Sequence, residues 1–319
     1  MDPVAEGVRA ESLLTEPTQL RVEASGMGFS ALAWGPEDGP LALCLHGYPD
    51  TAWTWRHLGP HLAGEGWRVA APFMRGYAPT DLAPDGAYQL GALVQDANEL
   101  RDALGGDDRA VLIGHDWGAV AAYMVGAWSP WAFRRIVTMA VPPLSVFMEP
   151  MLRPSQLITR FGTVARQASC SWYIGFQQLP GISERVLPRV IAKLWADWSP
   201  GYDAREDLAR VAESLGGPGR RTAALRYYRA FVQPWYRKSA YADAQASMLR
   251  KPVPPILYLQ GRSDGCLVMD HAERTIERKD EVLAQGSEVE ILPGVGHFLQ
   301  LEDPQAINSR VASFIAAGE

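Results

Sequence analysis

The sequence predicts an α/β protein in which a mostly parallel sheet is covered by helices on both faces. Three observations predict this fold class. Short apolar or β-branched runs bounded by Gly or Pro recur along the chain, as expected for strands. Helix-like stretches lie between these runs, and this alternation is typical of parallel sheets. One long segment lacks strand-like runs, which indicates a helical insertion between two consecutive strands.

Seven runs are predicted as strands. In chain order they read FSALAW, LALCLHG, RVAAPF, RAVLIGH, RIVTMAV, PPILYLQG and SEVEILPG. Between the third and fourth runs, QLGALVQDANELRDALG predicts a helix, because its apolar residues recur at three- and four-residue spacing. Gly105 and Gly106 mark the end of that helix, since glycine is favoured where a helix stops.

The alternation divides the chain into three regions. Residues 1–18 are predicted to be an N-terminal extension, and residues 19–142 together with 251–319 are predicted to form the α/β core. Residues 143–250 contain no convincing strand but are rich in Trp, Tyr and Arg with helical patterning. We expect this segment to be a cap, or lid, over the carboxyl ends of the strands, where ligands bind in open α/β sheets.

Charge and composition argue against several classes of protein. The formal net charge is −6 and no basic stripe is present, which argues against nucleic-acid binding. No apolar run approaches the roughly 18–20 residues that span a bilayer, and the N-terminus lacks the apolar region of a secretory signal. We therefore expect a cytoplasmic protein without a membrane partner, and formation of a homodimer is left open.

The sequence contains no recognisable pattern for a metal or a cofactor. The three cysteines, Cys44, Cys170 and Cys266, show neither C-x-x-C spacing nor a disulfide framework, so reduced thiols are expected. The histidines lack the H-x-x-x-H and H-E-x-x-H spacings of metal sites. No G-x-G-x-x-G or Walker pattern indicates a nucleotide site. We expect no metal and no cofactor.

Four separate features converge on one chemistry. In VLIGHDWG a strand-like run meets a sharp bend and a small-residue helix, which would expose Asp116 at a helix N-terminus that favours an anion. In LHGYPD a strand is followed by residues 46–49, where a backbone N–H can serve an oxyanion hole. Asp264 in LQGRSDGC and His297 in LPGVGHFLQLEDP each follow a predicted strand. A carboxylate nucleophile, an acid and a histidine therefore succeed one another along the chain.

These motifs resemble those of the α/β-hydrolase superfamily, and within it the epoxide hydrolases, over residues from about 20 to 316. The resemblance is carried by His46-Gly47-Tyr48-Pro49, Gly114-His115-Asp116-Trp117-Gly118, Asp264, His297 and the cap stretches SWYIGFQQLPG and LRYYRA. The order nucleophile, acid, histidine is also that of the superfamily. The resemblance implies the α/β-hydrolase fold with an inserted helical cap, and a cis peptide bond before Pro49.

A carboxylate in the nucleophile position has a physical rationale. With a reference pKa near 3.9, Asp116 would be ionised at about pH 7 without help from a base. It suits displacement at saturated carbon, which gives an alkyl ester. His297 would then activate the water that attacks the Asp116 carbonyl, and Asp264 would orient the imidazole. The backbone N–H groups of Tyr48 and Trp117 would form the oxyanion hole.

An epoxide substrate also requires a donor for its oxygen, because a bare alkoxide in an apolar pocket is costly. A phenol can donate while neutral, since its reference pKa is near 10. The family resemblance selects Tyr173 in SWYIGFQQLPG and Tyr228 in ALRYYRAF as the two cap donors. Tyr227 is the second choice, because neighbouring helical residues point about 100° apart and only one of the pair can face the pocket.

The predicted function is an epoxide hydrolase that acts with water on a small-molecule epoxide, and two alternatives stay open. A haloalkane or haloacid dehalogenase could use the same triad of Asp, His and Asp. Trp117 suits halide binding, but Tyr48 stands where haloalkane dehalogenases commonly have Asn, and the arginines of fluoroacetate-type enzymes are missing after Asp116. A non-catalytic binding protein of the same fold is the other alternative.

Overall fold

The computed structural model describes residues 16–317, and this part of the chain contains one eight-stranded sheet. The strands are β1 (Thr18–Ala24), β2 (Met27–Trp34), β3 (Leu41–Leu45), β4 (Arg68–Pro72), β5 (Val111–His115), β6 (Arg135–Met139), β7 (Ile256–Gly261) and β8 (Glu288–Leu292). Their spatial order is β1-β2-β4-β3-β5-β6-β7-β8. The pairs β1–β2 and β2–β4 are antiparallel, whereas every other pair is parallel. The carboxyl ends of β3, β5, β7 and β8 therefore meet at one edge of the sheet.

All seven predicted strands overlap observed ones, but β1 was missed by the sequence analysis. The stretch TQLRVEA is polar at most positions and largely solvent-exposed, because β1 is an edge strand that pairs only with β2. Its register with β2 runs from Thr18 opposite Ala33 to Ala24 opposite Met27. Most of the predicted N-terminal extension, residues 1–15, lies outside the described residues, and Thr18 already belongs to the sheet.

Sixteen α-helices lie within residues 16–317. They are α1 (Leu58–Gly64), α2 (Leu90–Ala103), α3 (Trp117–Trp128), α4 (Leu144–Phe147), α5 (Glu149–Leu152), α6 (Pro154–Thr159), α7 (Phe161–Cys170), α8 (Trp172–Phe176), α9 (Ile182–Trp198), α10 (Arg205–Ser214), α11 (Arg220–Val232), α12 (Ala242–Gln245), α13 (Asp270–Glu277), α14 (Lys279–Val282), α15 (Leu299–Glu302) and α16 (Pro304–Ala316). Short 3-10 helices span Ala52–Trp55, Pro234–Tyr236 and Ser239–Tyr241. Helix α2 packs with α3 and helix α1 packs with α16, and these pairs cover the two faces of the sheet.

The segment between β6 and β7 is helical, as the sequence pattern predicts. Helices α4 to α12 lie in it, and none of its described residues belongs to a strand. Two ion-pair groups attach it to the core. Arg56, beside the first 3-10 helix, pairs with the buried carboxylate of Asp207 in α10 at 2.6 Å. Near the start of the segment, buried Glu149 in α5 pairs with Arg278 after α13 at 2.8 Å and with Arg274 at 3.3 Å.

The chain turns sharply where β5 meets α3, and glycines allow the close contacts of this turn. A Cβ atom on Gly114 would lie 2.3 Å from the carbonyl oxygen of Gly118, and one on Gly118 would lie 2.1 Å from that of Leu45. Both contacts are with backbone atoms, which cannot swing aside like a flexible side chain. Helix α3 can therefore start against the end of β3 only because these two positions lack side chains.

Between residues 16 and 317 no helix combines the length and the apolar character that crossing a lipid bilayer requires.

We predict that Gly118→Ala lowers the free energy of unfolding by about 1–3 kcal/mol, the usual range for overpacking. The added methyl group would press on the backbone at the end of β3. Gly162→Ala in α7 is the matched control, because a Cβ atom there meets nothing within 4 Å. Because alanine has a higher helix propensity than glycine, Gly162→Ala should raise the free energy of unfolding by roughly 0.5–1 kcal/mol. Urea denaturation followed by circular dichroism measures both variants. Equal stability of Gly118→Ala and the wild type would contradict this account of the turn.

Candidate active site

Asp116 lies at the bend between β5 and α3 in a strained backbone conformation. Its φ is 52° and its ψ is −116°, values that residues with a side chain rarely adopt. The side chain is therefore lifted out of both the strand and the helix and projects at the carboxyl edge of the sheet. Its carboxylate is nearly buried, with 9% of the side chain exposed.

Backbone amides stabilise the Asp116 carboxylate. The N–H of Tyr48 donates to Oδ1 at 2.7 Å, and the backbone N–H of Trp117 also favours the charged form of the carboxylate. These are the two residues predicted to supply an oxyanion hole. Gly47 makes their approach possible, because a Cβ atom at this position would lie 2.4 Å from the Cβ of Asp116. The Tyr48–Pro49 peptide bond is cis, as the resemblance implied.

His297 lies in the loop between β8 and α15, and its ring faces Asp116. Its Nε2 atom is 3.8 Å from Oδ2 of Asp116, and its Nδ1 atom is 3.0 Å from Oδ2 of Asp264. The ring is fully buried, and Nε2 makes no hydrogen bond within the described part of the chain. A base whose second nitrogen is held by a carboxylate presents a defined lone pair to its reaction partner.

Asp264 is fixed in the turn that follows β7. Its Oδ1 accepts hydrogen bonds from the backbone N–H groups of Cys266 at 2.7 Å and Leu267 at 3.2 Å. Its Oδ2 accepts one from the side-chain amide of Gln260 at 2.7 Å, beside the bond to His297. Four donors saturate this carboxylate, so its orientation toward the imidazole is set by the fold rather than by a single contact.

Burial and charge shift the pKa values of the facing groups. Burial raises the pKa of Asp116 to about 6, against the opposing pull of His297 and of the amides of Tyr48 and Trp117. Burial alone would lower the pKa of His297, but the carboxylates of Asp264 and Asp116 outweigh it and hold this pKa above its ordinary value. Each group thus favours the charged form of the other.

His115 precedes the carboxylate in sequence but turns away from it. Its Nε2 atom lies 2.9 Å from the carbonyl oxygen of His297, which can only accept, so Nε2 carries the proton. Burial lowers the pKa of His115 well below the ordinary value, so the ring is neutral. Its contact is with the backbone of the predicted base, so His115 supports the loop that carries His297.

The helical segment between β6 and β7 contributes Tyr173 and Tyr228 to the cavity that contains Asp116. Tyr173 in α8 and Tyr228 in α11 are both buried, with ring centroids 5.5 Å apart, and both line the cavity that contains the carboxylate. Tyr227 points elsewhere, since its hydroxyl donates to the carbonyl oxygen of Arg75 in the core at 2.9 Å. Of the two neighbouring tyrosines, it is therefore Tyr228, the first choice from the sequence, that lines the cavity.

An apolar cavity joins these groups. It contains about 530 Å³ of empty space, its open mouth included. Its lining is formed by Asp116, Trp117, Val120, Val141, Leu144, Phe147, Ser171, Tyr173, Ile174, Tyr228, Phe231, Cys266 and Leu267. The lining includes the Asp116 carboxylate and the two phenols; burial raises the pKa of Tyr173 and Tyr228, and the charge of Asp116 adds to this effect. Such a cavity suits a small, mainly apolar ligand with one hydrogen-bond acceptor.

Cys266 is a cavity residue that the sequence analysis missed. Its Sγ atom lies 3.7 Å from the hydroxyl of Tyr173. Donor atoms of Asp264, Cys266 and His297 also lie within 4.8 Å of one another, a spacing that could hold a metal ion. The bond between Asp264 and His297 already occupies two of these donors, and burial raises the pKa of the Cys266 thiol well above its ordinary value. Because metals bind the thiolate, the geometry fits a catalytic pair better than a metal site.

Comparisons with known proteins identify the family of the chain. The family model described as "alpha/beta hydrolase fold" matches residues 40–304. Epoxide hydrolase A of Mycobacterium tuberculosis is 28% identical over 340 residues, covering 95% of this chain and 98% of the relative. Epoxide hydrolase 4 of Mus musculus is also 28% identical, covering 93% of this chain and 78% of the relative.

A solved structure shows the same likeness in three dimensions. The crystal structure of an epoxide hydrolase from Vigna radiata superposes with a TM-score of 0.72 at 26% identity, covering 94% of this chain and 98% of that one. The family match spans most of the chain and includes Asp116, Asp264 and His297. On these grounds the chain belongs to the α/β-hydrolase fold family.

Proposed function

We propose that the protein is an epoxide hydrolase in which Asp116 is the nucleophile. The observation that carries this proposal is that Asp116, Tyr173 and Tyr228 line one apolar cavity. A nucleophile at saturated carbon and proton donors for a released oxygen are the two requirements of epoxide opening. The similarity to proteins named epoxide hydrolases supports the same function.

In the first half-reaction an oxygen of Asp116 attacks one epoxide carbon and the carbon–oxygen bond of the ring breaks. Oδ1 is held by the N–H of Tyr48, whereas Oδ2 is the atom that faces His297, so we assign Oδ2 as the attacking atom. The released oxygen takes a proton from Tyr173 or Tyr228. The products are an alkyl ester on Asp116 that carries a neighbouring hydroxyl group, and a tyrosinate.

In the second half-reaction His297 takes a proton from water, and the hydroxide attacks the carbonyl carbon of the ester. Negative charge develops on Oδ1, where the N–H groups of Tyr48 and Trp117 stabilise it. When the ester bond breaks, the diol oxygen leaves and is protonated by His297. The second proton of the water restores the tyrosine through the newly formed carboxylic acid, so the site returns to its starting state. Asp264 stabilises the charged imidazole throughout.

One observation favours dehalogenation as a second candidate. The indole N–H of Trp117 makes no hydrogen bond within residues 16–317, and Trp117 lines the cavity beside Asp116. A free N–H donor next to the nucleophile could bind a departing halide. Two phenols above the carboxylate suit an alkoxide better, so we rank the epoxide first. We also propose a cytoplasmic location for the protein, as the sequence predicts.

The function is tested by a substrate panel of aryl epoxides, aliphatic epoxides, haloalkanes and fluoroacetate. We expect vicinal diols from epoxides and no release of halide. In a single turnover in ¹⁸O-labelled water, mass spectrometry should find the label in Asp116, because water attacks the carbonyl carbon of the ester. Halide release without diol formation would favour the second candidate. Label that enters only the diol in that turnover would instead indicate direct attack by water on the epoxide.

We predict that His297→Gln still opens the epoxide but cannot hydrolyse the ester, because only the second half-reaction needs a base. The adduct on Asp116 should accumulate and be visible as a mass increase equal to that of the substrate. Asp116→Asn is the control, since it lacks the charged oxygen and should show no adduct. A His297→Gln variant that is folded but forms no adduct would contradict the division of roles between the two residues.

We predict that Tyr173→Phe and Tyr228→Phe each slow formation of the ester, and that the double variant slows it more than either. General-acid assistance is typically worth about 10²–10⁴-fold in rate, and two donors partly replace each other. Stopped-flow measurement of the first half-reaction gives the rates. Tyr227→Phe is the matched control, because its hydroxyl bonds the core and not the cavity. Wild-type rates in the folded double variant would remove the cap tyrosines from the mechanism.

A further inference from the structure

The backbone around His297 is held at three successive amides. The N–H of Gly296 donates to Oε2 of Glu302 at 2.8 Å, and the N–H of His297 donates to the carbonyl oxygen of Trp198 at 3.0 Å. The N–H of Phe298 donates to Oγ of Ser199 at 3.1 Å. Two of the three acceptors, Trp198 and Ser199, belong to the end of cap helix α9, whereas Glu302 belongs to core helix α15.

The two side-chain acceptors are themselves bonded to each other. The hydroxyl of Ser199 donates to Oε1 of Glu302 at 2.5 Å. Ser199 is buried, with 1% of its surface exposed. The carboxylate of Glu302 therefore receives one bond from the cap and one from the loop that carries His297. This closed network links the cap, through Ser199, to the backbone on both sides of His297.

The same end of α9 reaches the other loops of the site. The carbonyl oxygen of Trp198 also accepts from the N–H of Gly265, beside Asp264, at 3.2 Å. The indole N–H of Trp195 donates to the carbonyl oxygen of Pro49, in the predicted oxyanion loop, at 2.9 Å. Both contacts come from the last turn of one cap helix, so the position of this helix and the geometry of the two loops are coupled.

We propose that Ser199 and Glu302 are positioning residues for His297, which set the general base in place only when the cap is seated on the core. This inference rests on the proposed function insofar as it takes His297 as the base of ester hydrolysis. Neither residue reaches the cavity. Their effect is exerted through the backbone amides on both sides of His297, so it concerns the second half-reaction and not the first.

Glu302 adds a charge effect to its hydrogen bonds. The titratable groups around the His297 ring are Asp116, Asp264, Glu302, His115 and Cys266. His115 and Cys266 are neutral because burial disfavours their charged forms. After Asp116 becomes an ester, Asp264 and Glu302 are the two carboxylates of this set that still carry charge. Glu302 therefore helps to keep the pKa of His297 raised while the ester is hydrolysed.

The kinetic test compares Ser199→Ala, Ser199→Thr and Glu302→Gln in the full-length protein with styrene oxide, an aryl epoxide. Displacement of a reacting group by about 1 Å can cost about 100-fold in rate. We expect Ser199→Ala to slow ester hydrolysis by about 10–100-fold on this basis, with ester formation within about twofold of wild type. Ser199→Thr keeps the hydroxyl and should restore most of the rate. Lys193→Met, on the exposed side of α9, and Glu273→Gln, exposed on α13, are the controls and should leave both steps unchanged.

A second readout requires no substrate. The ring of His297 is titrated by NMR in each variant, with His297→Gln used to assign its signal. Glu302→Gln should lower the pKa of His297 and shift the acidic limb of ester hydrolysis to lower pH, because the neutral base then persists to lower pH. Ser199→Ala keeps the charge of Glu302 and should leave both values in place.

Two results would overturn the proposal. The first is wild-type ester hydrolysis in Ser199→Ala together with an unchanged His297 titration in Glu302→Gln. The second is an equal slowing of both half-reactions with a lower melting temperature, which would indicate a merely structural contribution. If the wild type forms no diol from any epoxide, the proposed function fails, and the NMR titration still decides whether Glu302 acts on His297.

Discussion

The positive φ of Asp116 is the constraint on which the rest of the site depends. A carboxylate at the end of a buried strand would ordinarily point along the strand or cap the helix that follows. The strained bend directs it to the edge of the sheet, and the bend exists only because Gly47, Gly114 and Gly118 let three backbone segments approach one another. The amides that hold the carboxylate and the ring that faces it are arranged around this one displaced side chain.

The core half of the site could be predicted from the sequence because each of its parts has a local pattern. Asp116, Asp264 and His297 each follow an apolar strand, and parallel strands end at the same edge of a sheet. Chain order and the bend of small residues then distinguish them from ordinary turn residues. The structure brings the three side chains together, with separations of 3.0 and 3.8 Å. The central parallel strands β3, β5 and β7 were equally readable, since every residue in them is buried.

The cap and the edge of the sheet were harder to predict for physical reasons. Strand β1 is half polar because one face and one edge meet solvent, so its pattern resembles a loop. The choice between Tyr227 and Tyr228 depends on how α11 is rotated against the core, which no local pattern specifies. Ser199 and Glu302 act through contacts between residues about a hundred positions apart. In the sequence they are an ordinary serine before a proline and an ordinary glutamate near a helix start.

The thiol of Cys266 beside the cavity has a consequence for a protein that handles strained three-membered ethers. Such compounds are alkylating agents, and a thiolate at this position would compete with Asp116 for them and form a thioether that water cannot cleave. Burial and the nearby carboxylates of Asp264 and Asp116 keep the sulfur protonated, so its nucleophilicity is suppressed where the electrophile is most concentrated. The carboxylates of Asp264 and Asp116, which favour the charged form of His297, therefore also protect Cys266 from alkylation by the substrate.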